Sequence, residues 1–195
     1  MFDALGAHTY VINNNPDGTN INTNCGSTHI EGLVQLVKDE KLDIGFAFDG
    51  DADRCLAVDN EGNVITGDHI LYMCGKYMKA KGKLTKNTVV TTIMSNYGLY
   101  KAFDNAGIDY IKTDVGDKYV YENMITNGYR LGGEQSGHVI FLDENTTGDG
   151  LLSALHLLQV MVETGKPLSE LAQIMQVLPQ ALVNAKVANH KKDKY

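Results

Sequence analysis

Short apolar runs alternate along this chain with stretches in which apolar residues recur at helical spacing. Ala7–Ile12 reads as a strand, and Asn13–Asn24 is a polar loop rich in Asn, Gly and Thr. Leu33, Leu36 and Val37 give Glu31–Lys38 a helical face. Ile44–Phe48 is a mostly apolar run that stops at an acidic turn, the pattern of a buried parallel strand. Cys55–Val58 and Val64–Ile65 flank Asp59-Asn-Glu-Gly62 and read as a hairpin, followed by a helix over Gly67–Lys79. A basic stretch, Lys79–Lys86, reads as a linker.

The rhythm then restarts. Strand Thr88–Met94, helix Tyr97–Asn105, strand Ile108–Lys112 and helix Lys118–Thr126 lead to a short strand, Arg130–Leu131. Gly132–His138 is a glycine-rich loop. Asp149 is placed to cap a helix running to Glu163, and a last helix covers Leu168–Met175 before Pro179. Strand–helix alternation predicts an α/β chain of two consecutive units with mainly parallel, mixed sheets. The predicted units are 1–81 and 82–180, with 181–195 as a tail.

Composition narrows the function. The 195 residues are 43% hydrophobic and 21% charged, an ordinary globular balance, with a net charge of −7. An acidic chain is a poor match for phosphate backbones, so nucleic-acid binding is not expected. No apolar run reaches the ~20 residues of a membrane span, and the N-terminus has no signal-peptide pattern, so a cytoplasmic location is expected. Cys25, Cys55 and Cys74 are far apart and form no Cys-x-x-Cys pair, which supports neither a disulfide framework nor a zinc site.

Asp49-Gly-Asp-Ala-Asp-Arg54 is the most informative stretch. Its three carboxylates alternate just past a strand's C-terminal end, where α/β sheets bind ligands. Unit charges ~4 Å apart repel by about 1–4 kcal/mol, so the group calls for a proton or a cation. An all-oxygen donor set suits Mg²⁺. An EF-hand does not fit, because Arg54 stands where its glycine belongs and Asn60 where its glutamate belongs. A phosphotransferase using Asp49 as nucleophile stays open, although Asp53 stands where that motif carries Thr or Val.

The same hexapeptide resembles the metal loop of the α-D-phosphohexomutase superfamily. Asn20-Ile-Asn22 with Cys25-Gly-Ser-Thr-His-Ile-Glu31, Val115-Gly-Asp-Lys-Tyr119, Gly133-Glu-Gln-Ser-Gly-His138 and Thr147-Gly-Asp-Gly-Leu-Leu152 resemble its phosphoglucosamine mutase branch. The resemblance covers most of that family's second domain and all of its third. It implies that Asp49, Asp51 and Asp53 hold Mg²⁺ and that Arg54 faces the transferring phosphoryl group. Glu134 and Ser136 would bind sugar hydroxyls, His138 would act as general acid/base, and Lys118 would lie near the sugar phosphate. The implied partner is a phosphorylated amino sugar. The implied reaction interconverts glucosamine 6-phosphate and glucosamine 1-phosphate through a phosphoserine and a bisphosphorylated intermediate. The family's phosphoserine domain and phosphate-clamping fourth domain have no match here, so the isolated chain is expected to be inactive and to self-associate through surfaces those domains would cover. A non-catalytic sugar- or metal-binding role is the alternative from another class.

Overall fold

The computed structural model describes residues 1–173, 175–181 and 183. After the polar N-terminal segment come α1 (Glu31–Glu40), β1 (Ile44–Phe48), β2 (Cys55–Asp59), β3 (Val64–Ile65) and α2 (Gly67–Ala80). Then follow β4 (Thr88–Thr92), α3 (Tyr97–Ala106), β5 (Asp109–Thr113), α4 (Asp117–Asn127), β6 (Leu131–Gly133), β7 (Val139–Phe141), α5 (Gly150–Thr164) and α6 (Leu168–Ala172). The tail expected over 181–195 lies almost wholly outside the described residues. Among the described residues no helix is long and apolar enough to cross a membrane.

The fold is α/β with two sheets. One has the order β1-β2-β3 and the other β5-β4-β6-β7. In the larger sheet β4 runs parallel to both β5 and β6, and β7 closes the edge antiparallel to β6. The smaller sheet is antiparallel throughout, which corrects the parallel reading of β1. Only the acidic turn joins β1 to β2, and a parallel crossover needs a dozen residues or more.

Three further elements differ from the sequence reading. Ala7–Ile12 forms no strand, and Tyr10, Val11 and Ile12 are exposed. β-Propensity makes a strand only where a neighbour supplies hydrogen bonds and packing. Val139–Phe141, unassigned in the sequence, is the fully buried edge strand β7. The last helix ends at Ala172 rather than Met175.

Helix ends follow local chemistry. Asp149 caps α5 by accepting the Leu152 amide at 2.9 Å, and Asn96 caps α3 by accepting the Gly98 amide at 2.9 Å. Thr66 and His69 form a reciprocal capping box on α2. Burial pulls His69 down to about 4, so its ring is neutral there.

One core runs through both halves. Ala57 and Ile65 of the small sheet share a buried cluster with Val89, Leu131 and Leu157. The same cluster holds Ile70, Leu71 and Cys74 of α2, which packs on α3, α5 and β6. At the start of α2, Asp68 is buried and accepts the Asn96 amide at 2.7 Å. Burial raises its carboxyl to about 6, against the lowering effect of that amide.

Candidate functional site

The acidic turn leaves the end of β1 and returns as β2, so both ends are held by a buried strand pair. Ala52, at φ 57°, takes the left-handed conformation at the top of the turn. This tight reversal brings one carboxylate oxygen each from Asp49, Asp51 and Asp53 within 4.8 Å of one another. The Asp49 side chain is only 7% exposed, and Arg54 holds it from two sides. The Arg54 amide donates to Asp49 Oδ1 at 3.3 Å, and Arg54 Nη1 lies 3.7 Å from Asp49 Oδ2.

Asp53 is held above the usual carboxylate range, first by burial and then by the Asp49 charge. Its Oδ1 is buried with no hydrogen-bond partner among the described residues. A buried, unpartnered carboxylate oxygen beside two more acids is a donor set that fits a hard divalent cation.

The turn is bonded directly to the glycine-rich loop between β6 and β7. Arg54 and His138 form an isolated antiparallel bridge. The Cys55 amide donates to the Gly137 carbonyl at 3.1 Å, and the Gly67 amide to the Gln135 carbonyl at 3.0 Å. The Gly150 amide, at the start of α5, donates to the Ala52 carbonyl at 2.9 Å. That contact turns the positive end of the α5 dipole toward the acids.

His138 is 3% exposed and sits at the centre of this junction. Its Nε2 accepts the Gly148 amide at 3.2 Å, and lies 3.6 Å from Asp53 Oδ2 and 3.9 Å from Asp117 Oδ2. The other ring nitrogen, Nδ1, is buried without a partner among the described residues. Gly148 is required by this approach: a Cβ there would stand 2.5 Å from the His138 ring and 2.8 Å from the Asp53 carbonyl.

The remaining sequence-derived residues divide. Glu134 is half-buried beside the junction, and its Oε1 accepts the Gly116 amide at 3.1 Å. Ser136 is exposed at the turn between β6 and β7. Lys118 is 73% exposed and faces Glu122 at 3.7 Å along its own helix. Asp117, to which the sequence reading gave no role, is the α4 side chain that reaches His138. Neighbouring helix positions are ~100° apart, so Asp117 and Lys118 point to different sides, a signal available once α4 is placed.

These features coincide with a known family. The phosphoglucomutase/phosphomannomutase alpha/beta/alpha domain II model matches residues 1–62, and the domain III model matches residues 66–178. The chain belongs to the phosphoglucomutase/phosphomannomutase family. Its sequence relatives include phosphoglucosamine mutases. That of Lachnospira eligens is 66% identical over 189 residues, covering 97% of this chain and 42% of that protein. That of Clostridium novyi is 62% identical, covering 98% of this chain and 43% of that protein. The chain thus spans less than half the length of these relatives.

Among solved structures, a phosphomannomutase from Thermus thermophilus superposes with a TM-score of 0.67 at 26% identity, over 75% of this chain and 33% of that one. Aspergillus fumigatus N-acetylphosphoglucosamine mutase, in complex with GlcNAc-6P and magnesium, gives a TM-score of 0.67 at 19% identity. That match covers 86% of this chain and 40% of the other, and carries the fold alone.

Proposed function

We propose that this chain carries the metal-binding and sugar-binding loops of a phosphoglucosamine mutase, which interconverts glucosamine 6-phosphate and glucosamine 1-phosphate in the cytoplasm. The observation that carries the reading is the convergence of Asp49, Asp51 and Asp53 on a turn hydrogen-bonded to the Glu134–His138 loop. Identity of 58–66% to phosphoglucosamine mutases supports the same substrate class.

Asp49, Asp51 and Asp53 would hold Mg²⁺, whose chemistry is to neutralise phosphoryl oxygens and raise the electrophilicity of phosphorus. Arg54 keeps a partly exposed guanidinium beside the acids, where its fork suits phosphate oxygens. Glu134 uses Oε1 for the Gly116 amide, which fixes the loop and leaves Oε2 for a sugar hydroxyl. Ser136 offers an exposed hydroxyl in the same loop.

His138 holds its Nε2 between Asp53, Asp117 and the Gly148 amide. General acid/base action at that nitrogen requires the Gly148 bond to open as a sugar hydroxyl arrives. Lys118 would meet a sugar phosphate only after leaving Glu122. In this reading the phosphoryl donor is a phosphoserine. The reading of Asp49 as a phosphatase nucleophile is disfavoured by its burial and by its two contacts with Arg54.

The test is a titration of the chain with glucosamine 6-phosphate in the presence of Mg²⁺, followed by backbone amide shifts. Shifts concentrated on Asp49–Arg54 and Gly133–His138 are expected. No shifts, or shifts confined to other segments, overturn the reading.

A further inference from the structure

We infer that Asp117 selects amino sugars over plain sugars by pairing with the protonated amine of a 2-amino-2-deoxyhexose phosphate. The inference rests on the sugar-phosphate reading above and adds to it a residue and a chemical basis for selectivity.

An acid in the first turn of a helix ordinarily serves the helix itself, by capping an amide or by offsetting the dipole. Asp117 opens α4, yet its Oδ2 is directed at the junction, 3.9 Å from His138 Nε2. The same nitrogen faces Asp53 at 3.6 Å, so Asp117 and the acidic turn border one opening.

His138 Nε2 accepts the Gly148 amide at 3.2 Å, and at 3.9 Å Asp117 Oδ2 lies beyond hydrogen-bond distance of it. Arg54 is engaged with Asp49 at 3.7 Å, and Lys118 with Glu122 at 3.7 Å. Asp117 is 62% exposed and has no Lys or Arg within salt-bridge distance among the described residues. Behind it the wall is closed by His138, which is 3% exposed. A ligand cation is the partner this carboxylate lacks.

Glu134 Oε1 accepts the amide of Gly116, the residue before Asp117. The acceptor proposed for sugar hydroxyls and the free carboxylate are therefore neighbours on one rim. A sugar held by Glu134 presents its next ring substituent to Asp117. An ammonium there makes a charge-assisted bond, roughly twice as strong as a hydroxyl would make. A hydroxyl or an N-acetyl group brings no charge. Because the pair is open to water, the preference is modest, about 3- to 10-fold.

The experiment measures dissociation constants of the chain for glucosamine 6-phosphate, glucose 6-phosphate and N-acetylglucosamine 6-phosphate in Mg²⁺, by amide-shift titration. The wild-type chain should favour glucosamine 6-phosphate by about 3- to 10-fold, and added salt should shrink that preference. Asp117→Asn keeps size and polarity, and should bring the three ligands to similar affinity while leaving glucose 6-phosphate unchanged. Asp117→Glu should keep part of the preference. A preference that survives Asp117→Asn overturns the inference, as does an equal loss for all three ligands, which marks a structural role. Equal wild-type affinities overturn the inference alone, whereas no response to any sugar phosphate overturns the parent reading and this one with it.

Discussion

The amide of Cys55 donates to the carbonyl of Gly137 at 3.1 Å, so the strand leaving the acidic turn is stitched to the loop proposed to hold the sugar. The proposed metal donors and the proposed sugar donors are fixed to one another by main chain rather than by long side chains. Main-chain bonds carry little rotamer entropy, so the relative placement of the two loops is set by the fold.

The three carboxylates should bind Mg²⁺ weakly. They supply charge, but three protein oxygens leave about half of an octahedral shell to water. Calorimetry should give a dissociation constant in the millimolar range, weakened at least about fivefold by Asp51→Asn. Micromolar affinity, or affinity indifferent to Asp51→Asn, contradicts the proposed donor set.

Gly148→Ala should be costly at two levels. The new Cβ meets the His138 ring and the Asp53 carbonyl, both fixed by their neighbours. Overpacking of this kind costs about 1–3 kcal/mol. Urea unfolding should show that loss, and Mg²⁺ affinity should fall because the Asp53 backbone is displaced.

Glu134 should separate folding from recognition. Glu134→Gln keeps an oxygen for the Gly116 amide and should change stability by less than about 0.5 kcal/mol. Glu134→Ala loses that bond and should cost about 1 kcal/mol. Both should weaken sugar-phosphate binding. A Gln variant as unstable as the Ala variant means that charge, not the hydrogen bond, holds the loop.

Asp68 makes stability depend on pH. Its carboxyl rises from 3.8 to about 6 on folding. The folded state therefore holds a proton that the unfolded state releases between those values. Its stabilising contribution is complete below about pH 4 and is lost as pH rises through about 6. The loss amounts to about 3 kcal/mol. Asp68→Asn retains an acceptor for the Asn96 amide and should flatten the portion of the stability curve between those two values. An unchanged curve assigns the slope to other groups.

Much of this was legible in the sequence because local rules and tertiary packing agree. Asp149 is a cap in both, β1 is a short, mostly apolar run bounded by turns, and β4 and β5 are short runs carrying β-branched and aromatic residues. The failures have distinct causes. Ala7–Ile12 has strand composition but no strand beside it. Val139–Phe141 is too short to show alternation, and follows a loop that draws attention as chemistry rather than structure. The candidate carboxylates were readable because alternation past a strand end is a local pattern. Asp117 was not, because its importance depends on His138, far along the chain and brought near only by the β6–β7 return.

The isolated bridge between Arg54 and His138 makes the acidic turn a seam between the two sheets rather than a pendant loop. A ligand that draws the three carboxylates together also tightens the joint across which the chain would have to come apart. Each sheet is then stabilised by an ion that touches only one of them, and heat should separate the two halves in a single cooperative step whose midpoint climbs with magnesium.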